Sequence, residues 1–217
     1  TAALECGDEK DVAVANTWLA RAVAMQRSDG NLSYADTIQG VTSGHVRSFT
    51  PLASLTSALG YPLLLSCQRA PNEAFMAAAS RQVESLRRAP RTSDGGIWAR
   101  GEGPELWIDF IYMMAPFLAL YGQMNGDSSA TDEAFHQYEV HIAHLLDARK
   151  NLARHAWCER PDHFPQSTFW NRGNGWLICA GVDLLSIAPD YAKADAVRRT
   201  SKAVLEAMSA YQESSGY

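Results

Sequence analysis

Apolar residues recur at helical spacing along most of the chain. Val12, Ala15, Leu19, Ala22 and Val23 share one face of a helix expected over 12–25. Phe75, Ala79, Val83 and Leu86 do the same over 72–88, with Arg81, Arg87 and Arg88 turned outward. Thr50-Pro51 supplies a cap and a first-turn proline for a helix reaching about Ser66, which Pro62 should kink or shorten. Further helices are expected over 106–124, interrupted at Pro116, over 131–147 behind a Thr131-Asp132-Glu133 cap, and over 175–187 and 191–211. Period-two alternation nowhere runs long enough to demand a sheet core. The pattern predicts an all-α fold of about seven helices.

The connections between these helices are of two kinds. Residues 126–129 and 188–190 are short, whereas 28–49, 89–105 and 150–174 are long and rich in glycine, proline, aromatic and charged residues. Alternating short and long connections suit helical hairpins, each with a tight turn at one end and a site-building loop at the other.

At 217 residues the chain can bury one substantial core, so a single domain spanning 1–217 is expected. A net charge of −5, with no lysine–arginine stripe, argues against a nucleic-acid surface. Apolar runs fall far short of a membrane span, which predicts a soluble chain. Cys6, Cys67, Cys158 and Cys179 have neither CxxC nor ligand spacing, and fit buried thiols as well as disulfides. No metal-ligand or nucleotide-loop pattern is found, so neither metal nor cofactor is expected. No targeting segment is read, and the compartment stays open.

Two segments carry chemistry. Phe169-Trp170-Asn171-Arg172-Gly173-Asn174-Gly175-Trp176 brackets an arginine with tryptophans at a helix start. Flat aromatic faces suit sugar rings and a guanidinium fork suits a carboxylate; a buried tryptophan pair around a glycine turn would read the same way. Asp109 is the only charge between Glu105 and Asp127, in an apolar and aromatic run. A carboxyl group so placed is desolvated and proton-bearing, as a general acid needs; a capping or paired aspartate is the plainer alternative.

Together these segments resemble the unsaturated glycuronyl hydrolases, in particular the unsaturated rhamnogalacturonyl hydrolases of glycoside hydrolase families 88 and 105. The family block "GGFWH…WLDGLYM" is matched by Gly95-Gly96-Ile97-Trp98 and Trp107-Ile108-Asp109-Phe110-Ile111-Tyr112-Met113. "YHAWDE" is matched by Arg154-His155-Ala156-Trp157-Cys158-Glu159, and "W(G/A)RGNGW" by Trp170-Asn171-Arg172-Gly173-Asn174-Gly175-Trp176. The resemblance runs from about Gly7 to Tyr217.

The resemblance implies an (α/α)6 barrel of six helical hairpins. Seven helices fill only part of that ring, so an incomplete toroid, truncated at both ends, is expected, with a second chain completing or covering it as one possible partner. It also implies a pectin-derived or glycosaminoglycan-derived oligosaccharide ending in a 4,5-unsaturated uronyl group, whose vinyl ether is hydrated. Asp109 would be the catalytic proton donor and subsequent base. Trp107, His155, Trp170, Arg172 and Trp176 would bind the substrate, with Arg172 on the carboxylate. One block departs: the family's "LDDIN(P/H)GK" carries a second aspartate, whereas no acid lies between Arg47 and Ala70, and Thr56 or Ser57 falls near its place. That departure keeps two alternatives open, a family-derived protein with lost or repurposed chemistry and a purely structural helical-repeat scaffold.

Overall fold

The computed structural model describes residues 1–33 and 52–216. The Thr50-Pro51 cap and most of the 28–49 connection lie outside the described residues. Three of the helices start at a side chain that accepts from their free N–H groups. After the short α1 (Ala2–Cys6), α2 (Glu9–Ala24) is capped by Asp8, whose carboxylate accepts from Lys10 and Asp11 at 3.0 Å each. A helical run follows through α3 (Ala53–Thr56), a 3-10 turn at Ser57–Leu59 and α4 (Gly60–Arg69). The tightening places Pro62 in the first turn of α4, where a missing N–H costs little. Asn72 caps α5 (Glu73–Arg87), accepting from Phe75 at 3.1 Å.

Several expected boundaries move. The helix predicted from Leu106 begins only at Phe110: Glu105–Trp107 is instead strand β1, and α6 runs from Phe110 to Asn125. Pro116 does not interrupt α6, because packing on every side overrides the lost hydrogen bond; Ala115, Pro116, Phe117 and Leu118 are all buried. Gly126 ends α6 in the left-handed conformation (φ 65°). The next residue, Asp127, then caps α7 (Ser128–Leu145), accepting from Ala130 at 3.2 Å, so α7 starts three residues before the expected Thr131. Strands β2 (Leu146–Asp147), β3 (Leu152–Ala153), β4 (Ala156–Cys158) and β5 (His163–Gln166) occupy the long connection to α8 (Asn171–Ile187), and α9 (Ala194–Ser209) follows.

Short turns pair α4 with α5, α6 with α7, and α8 with α9, so α4, α6 and α8 run parallel. These three pack side by side, each also against the helix that follows it. α6 is the centre of the main core, with Phe110, Ile111, Met114 and Phe117 buried. At Gly60, any Cβ would lie 2.5 Å from the Phe117 ring, so the missing side chain sets how closely α4 approaches α6. The long connections before α6 and α8 meet at one end, where β1, β4 and β5 form a three-stranded antiparallel sheet in that order. All four cysteines are free. Among the described residues, no helix is long and apolar enough to cross a membrane.

Candidate active site

The sheet brings residues far apart in sequence to one place. β1 pairs with β4 so that Trp107 faces Ala156. The ladder continues for one more hydrogen bond, from the Ile108 N–H to the His155 carbonyl at 3.0 Å. The His155 N–H donates to the Thr168 carbonyl at 3.0 Å, drawing in the segment that leads to α8. Asp109, His155 and Trp170 therefore come together through backbone pairing.

Asp109 holds the N-cap position of α6, yet its side chain makes no capping hydrogen bond. An aspartate there normally accepts from the helix N–H groups and stabilises by about 1 kcal/mol. Here the carboxyl group turns away, and its Oδ1 is buried without a hydrogen-bond partner, 3.8 Å from Nε2 of His155. Burial raises the carboxyl pKa above the ordinary aspartate value; its own backbone N–H, His155 and Arg172 oppose that rise without cancelling it.

Aromatic rings wall this carboxyl. Trp107 meets the His155 ring edge-on at 5.3 Å and Phe110 at 5.9 Å. Its Nε1 donates at 2.8 Å to Oε2 of Glu105, two residues back on the same strand face. Glu105 is 7 % exposed and is gripped by Arg100 through Nε at 2.9 Å and Nη2 at 2.6 Å. A bidentate ion pair thus fixes the indole. Neither member was singled out in the sequence; a strand with alternate-residue spacing is the signal that would have shown Glu105 beneath Trp107.

The first turns of α8 form the other wall. Trp170 packs 4.6 Å from His155, and the exposed guanidinium of Arg172 lies over its ring at 4.3 Å. Among the described residues, Arg172 makes no hydrogen bond or ion pair, so its donors are available. Gly173 allows this approach: a Cβ there would lie 2.7 Å from Ile108 Cγ2 and 2.8 Å from Trp170 Cε3. Asn174 clamps the helix start, accepting from the Ala153 N–H at 2.7 Å and donating to the carbonyls of Ala153 and Trp170, both at 3.0 Å.

One turn along α8, Trp176 stacks on Tyr112 at 4.8 Å. Seven residues further on the same stripe lies Asp183, another group the sequence reading passed over. Burial, with Glu5 nearby, pushes Asp183 up to about 6.

The structure therefore gathers Trp107, Asp109, His155, Trp170 and Arg172 into one contact chain, whereas the ring contact of Trp176 is with Tyr112. Thr56 and Ser57 are engaged elsewhere. The Thr56 hydroxyl bonds to Asn31 at 3.2 Å and Gln82 at 3.1 Å, and that of Ser57 donates to the Ala53 carbonyl at 2.6 Å. A cavity of about 770 Å³ also borders α8, lined in part by Lys150, Phe169, Asn171 and Tyr211, but none of the five gathered residues lines it. Among the described residues, no cluster of three or more histidine, cysteine or acidic side chains could hold a metal ion. What the site offers is a desolvated carboxyl beside a free guanidinium, between aromatic faces: acid–base chemistry on an anionic ring.

Residues 15–217 match the family model described as Glycosyl Hydrolase Family 88. Among solved structures, the chain is similar to a family 105 glycoside hydrolase from C. acetobutylicum (TM-score 0.77, 20% identity, 96% of this chain and 57% of that one). It is also similar to a possible family 105 member from Salmonella enterica (0.78, 21%, 98% and 53%). A family 88 glycosyl hydrolase from Bacteroides vulgatus matches as well (0.70, 16%, 100% and 59%). The fold expected from the sequence, helical hairpins arranged as in the six-hairpin glycosidases, is the fold these proteins share with it. The chain spans between half and three-fifths of their length.

Proposed function

Because this chain belongs to glycosyl hydrolase family 88, we propose that it acts on oligosaccharides ending in a 4,5-unsaturated uronyl group, by hydrating the vinyl ether. The observation that carries this reading is the Asp109 carboxyl group: it gives up its cap, is largely buried, and keeps an unpartnered oxygen toward His155. A hydrolase working by displacement needs a second carboxylate across the scissile bond. Hydration needs one group that first gives a proton and then takes one.

The steps follow from that group. Asp109 transfers its proton to C4, and positive charge develops at C5 and the ring oxygen. Water adds at C5 and returns a proton to the Asp109 carboxylate. The resulting hemiketal opens to a C5 ketone, and the C1 hemiacetal collapses to release the neighbouring sugar as an alcohol, with one water consumed. Arg172 would engage the uronyl carboxylate through its fork, while Trp107, Trp170 and Trp176 face the ring. A rhamnose on the leaving side, and hence a place in pectin breakdown, is the finer reading that the "WLDGLYM"-like and "RGNGW" blocks support.

A second reading, a sugar-binding protein that has lost the chemistry, is favoured by one observation: the Thr56 and Ser57 hydroxyls are tied to Asn31, Gln82 and Ala53, and neither stands in for a second acid. Turnover of unsaturated galacturonyl-rhamnose by the wild type and by Asp109→Asn separates the two. Turnover lost by a factor of at least about 10² in the variant supports hydration; binding without turnover in the wild type supports the second reading.

A further inference from the structure

Gln166 lies at the end of β5, opposite Ala156 of β4, and was not among the residues the sequence marked. Its side-chain oxygen is hydrogen-bonded to Nδ1 of His155. An amide oxygen only accepts, so Nδ1 carries the proton in this pairing. Trp107 and Trp170 flank the ring, and the His155 backbone N–H and carbonyl are engaged by Thr168 and Ile108.

We infer that Gln166 is a positioning residue that fixes the tautomer of His155, with the proton on Nδ1 and the Nε2 lone pair directed toward Asp109. This rests on the reading of Asp109 as proton donor. The consequence is electrostatic. Were Nε2 protonated, it would present a donor to Oδ1 and favour the ionised carboxylate, the wrong resting state for an acid. A lone pair there offers no such donor, and an uncharged ring lacks the positive charge through which His155 draws the Asp109 carboxyl down. The gap is too wide for a direct hydrogen bond between the two. The same orienting logic holds wherever a partner on one imidazole nitrogen decides what the other can do.

The test is the protonation pattern of the His155 ring, read by 15N–1H correlation of 15N-histidine-labelled protein at neutral pH, with its signal assigned by loss in His155→Asn. Wild type is expected to show Nδ1 protonated and Nε2 bare. Gln166→Leu, which removes the acceptor, should move the proton to Nε2 or leave a mixture, whereas Gln166→Glu, which keeps an acceptor, should retain the Nδ1 proton. In turnover, Gln166→Leu should lower kcat about tenfold or more while KM changes less than about threefold. A proton on Nε2 in the wild type, or an unchanged tautomer in Gln166→Leu, overturns the inference. A correct tautomer in a protein without turnover counts instead against the hydrolase reading.

Discussion

The guanidinium of Arg172 lies over the face of Trp170, 4.3 Å from the ring centroid, while making no ion pair among the described residues. The stack holds the arginine in place from one side and leaves its donors free on the other. A cation fixed by an aromatic face and not neutralised by a carboxylate is prepared for an anionic ligand. Arg172→Lys keeps the charge but loses the fork and the planar stack. It should raise KM for an unsaturated uronyl substrate at least about tenfold, with unfolding unchanged because the residue is exposed; steady-state kinetics and a thermal melt check both.

Asp109→Asn should make the protein more stable at neutral pH while removing turnover. Burial raises the folded-state pKa of Asp109 above the unfolded value of 3.8, so the fold favours the protonated form. The wild type therefore carries no penalty below that value. It loses stability as pH rises through the folded pKa, and the loss is constant above it. The neutral amide escapes this loss, so the variant's stability gain should be absent near pH 3 and present at pH 8. Urea unfolding at the two pH values measures it, and a gain independent of pH would contradict the assignment.

Gly173→Ala places a methyl group against Ile108 Cγ2 and the Trp170 ring. Neither can yield freely, since Ile108 is fully buried and Trp170 is held by Asn174 and His155. The expected cost is about 1–3 kcal/mol in stability, with a raised KM as Trp170 is displaced. Denaturant unfolding and kinetics of the one variant report both.

Glu105→Gln tests the support beneath Trp107. The variant keeps an acceptor for the indole N–H but removes the carboxylate that engages Arg100 through two nitrogens in a largely buried setting. Stability should fall by about 3 kcal/mol, as when one partner of a buried pair is neutralised. kcat should fall less than in Asp109→Asn, because Trp107 retains its anchor.

The helices were legible because their apolar stripes and caps are local: Asn72 announces α5 and the Phe75–Leu86 stripe its buried face. Trp107 was assigned to a helix because Leu106-Trp107-Ile108 is apolar and adjoins one; only pairing with Ala156–Cys158, some fifty residues on, makes it a strand. Pro116 misled in the opposite direction, its local penalty outweighed by a core that surrounds α6. The residues of the contact chain were legible as a set through a family resemblance. The resemblance did not carry their supports: Gln166, Glu105 and Arg100 act through side-chain contacts across the sheet, which no short block encodes.

The central claim is that the double bond itself reacts. The most direct measurement follows, in one reaction on unsaturated galacturonyl-rhamnose, both the ultraviolet absorbance of the uronyl double bond and the appearance of new reducing ends. Hydration predicts that absorbance falls in one-to-one proportion to sugar released, and that both stop in Asp109→Asn. Release of sugar with the absorbance retained would mean displacement at the anomeric carbon and would contradict the account.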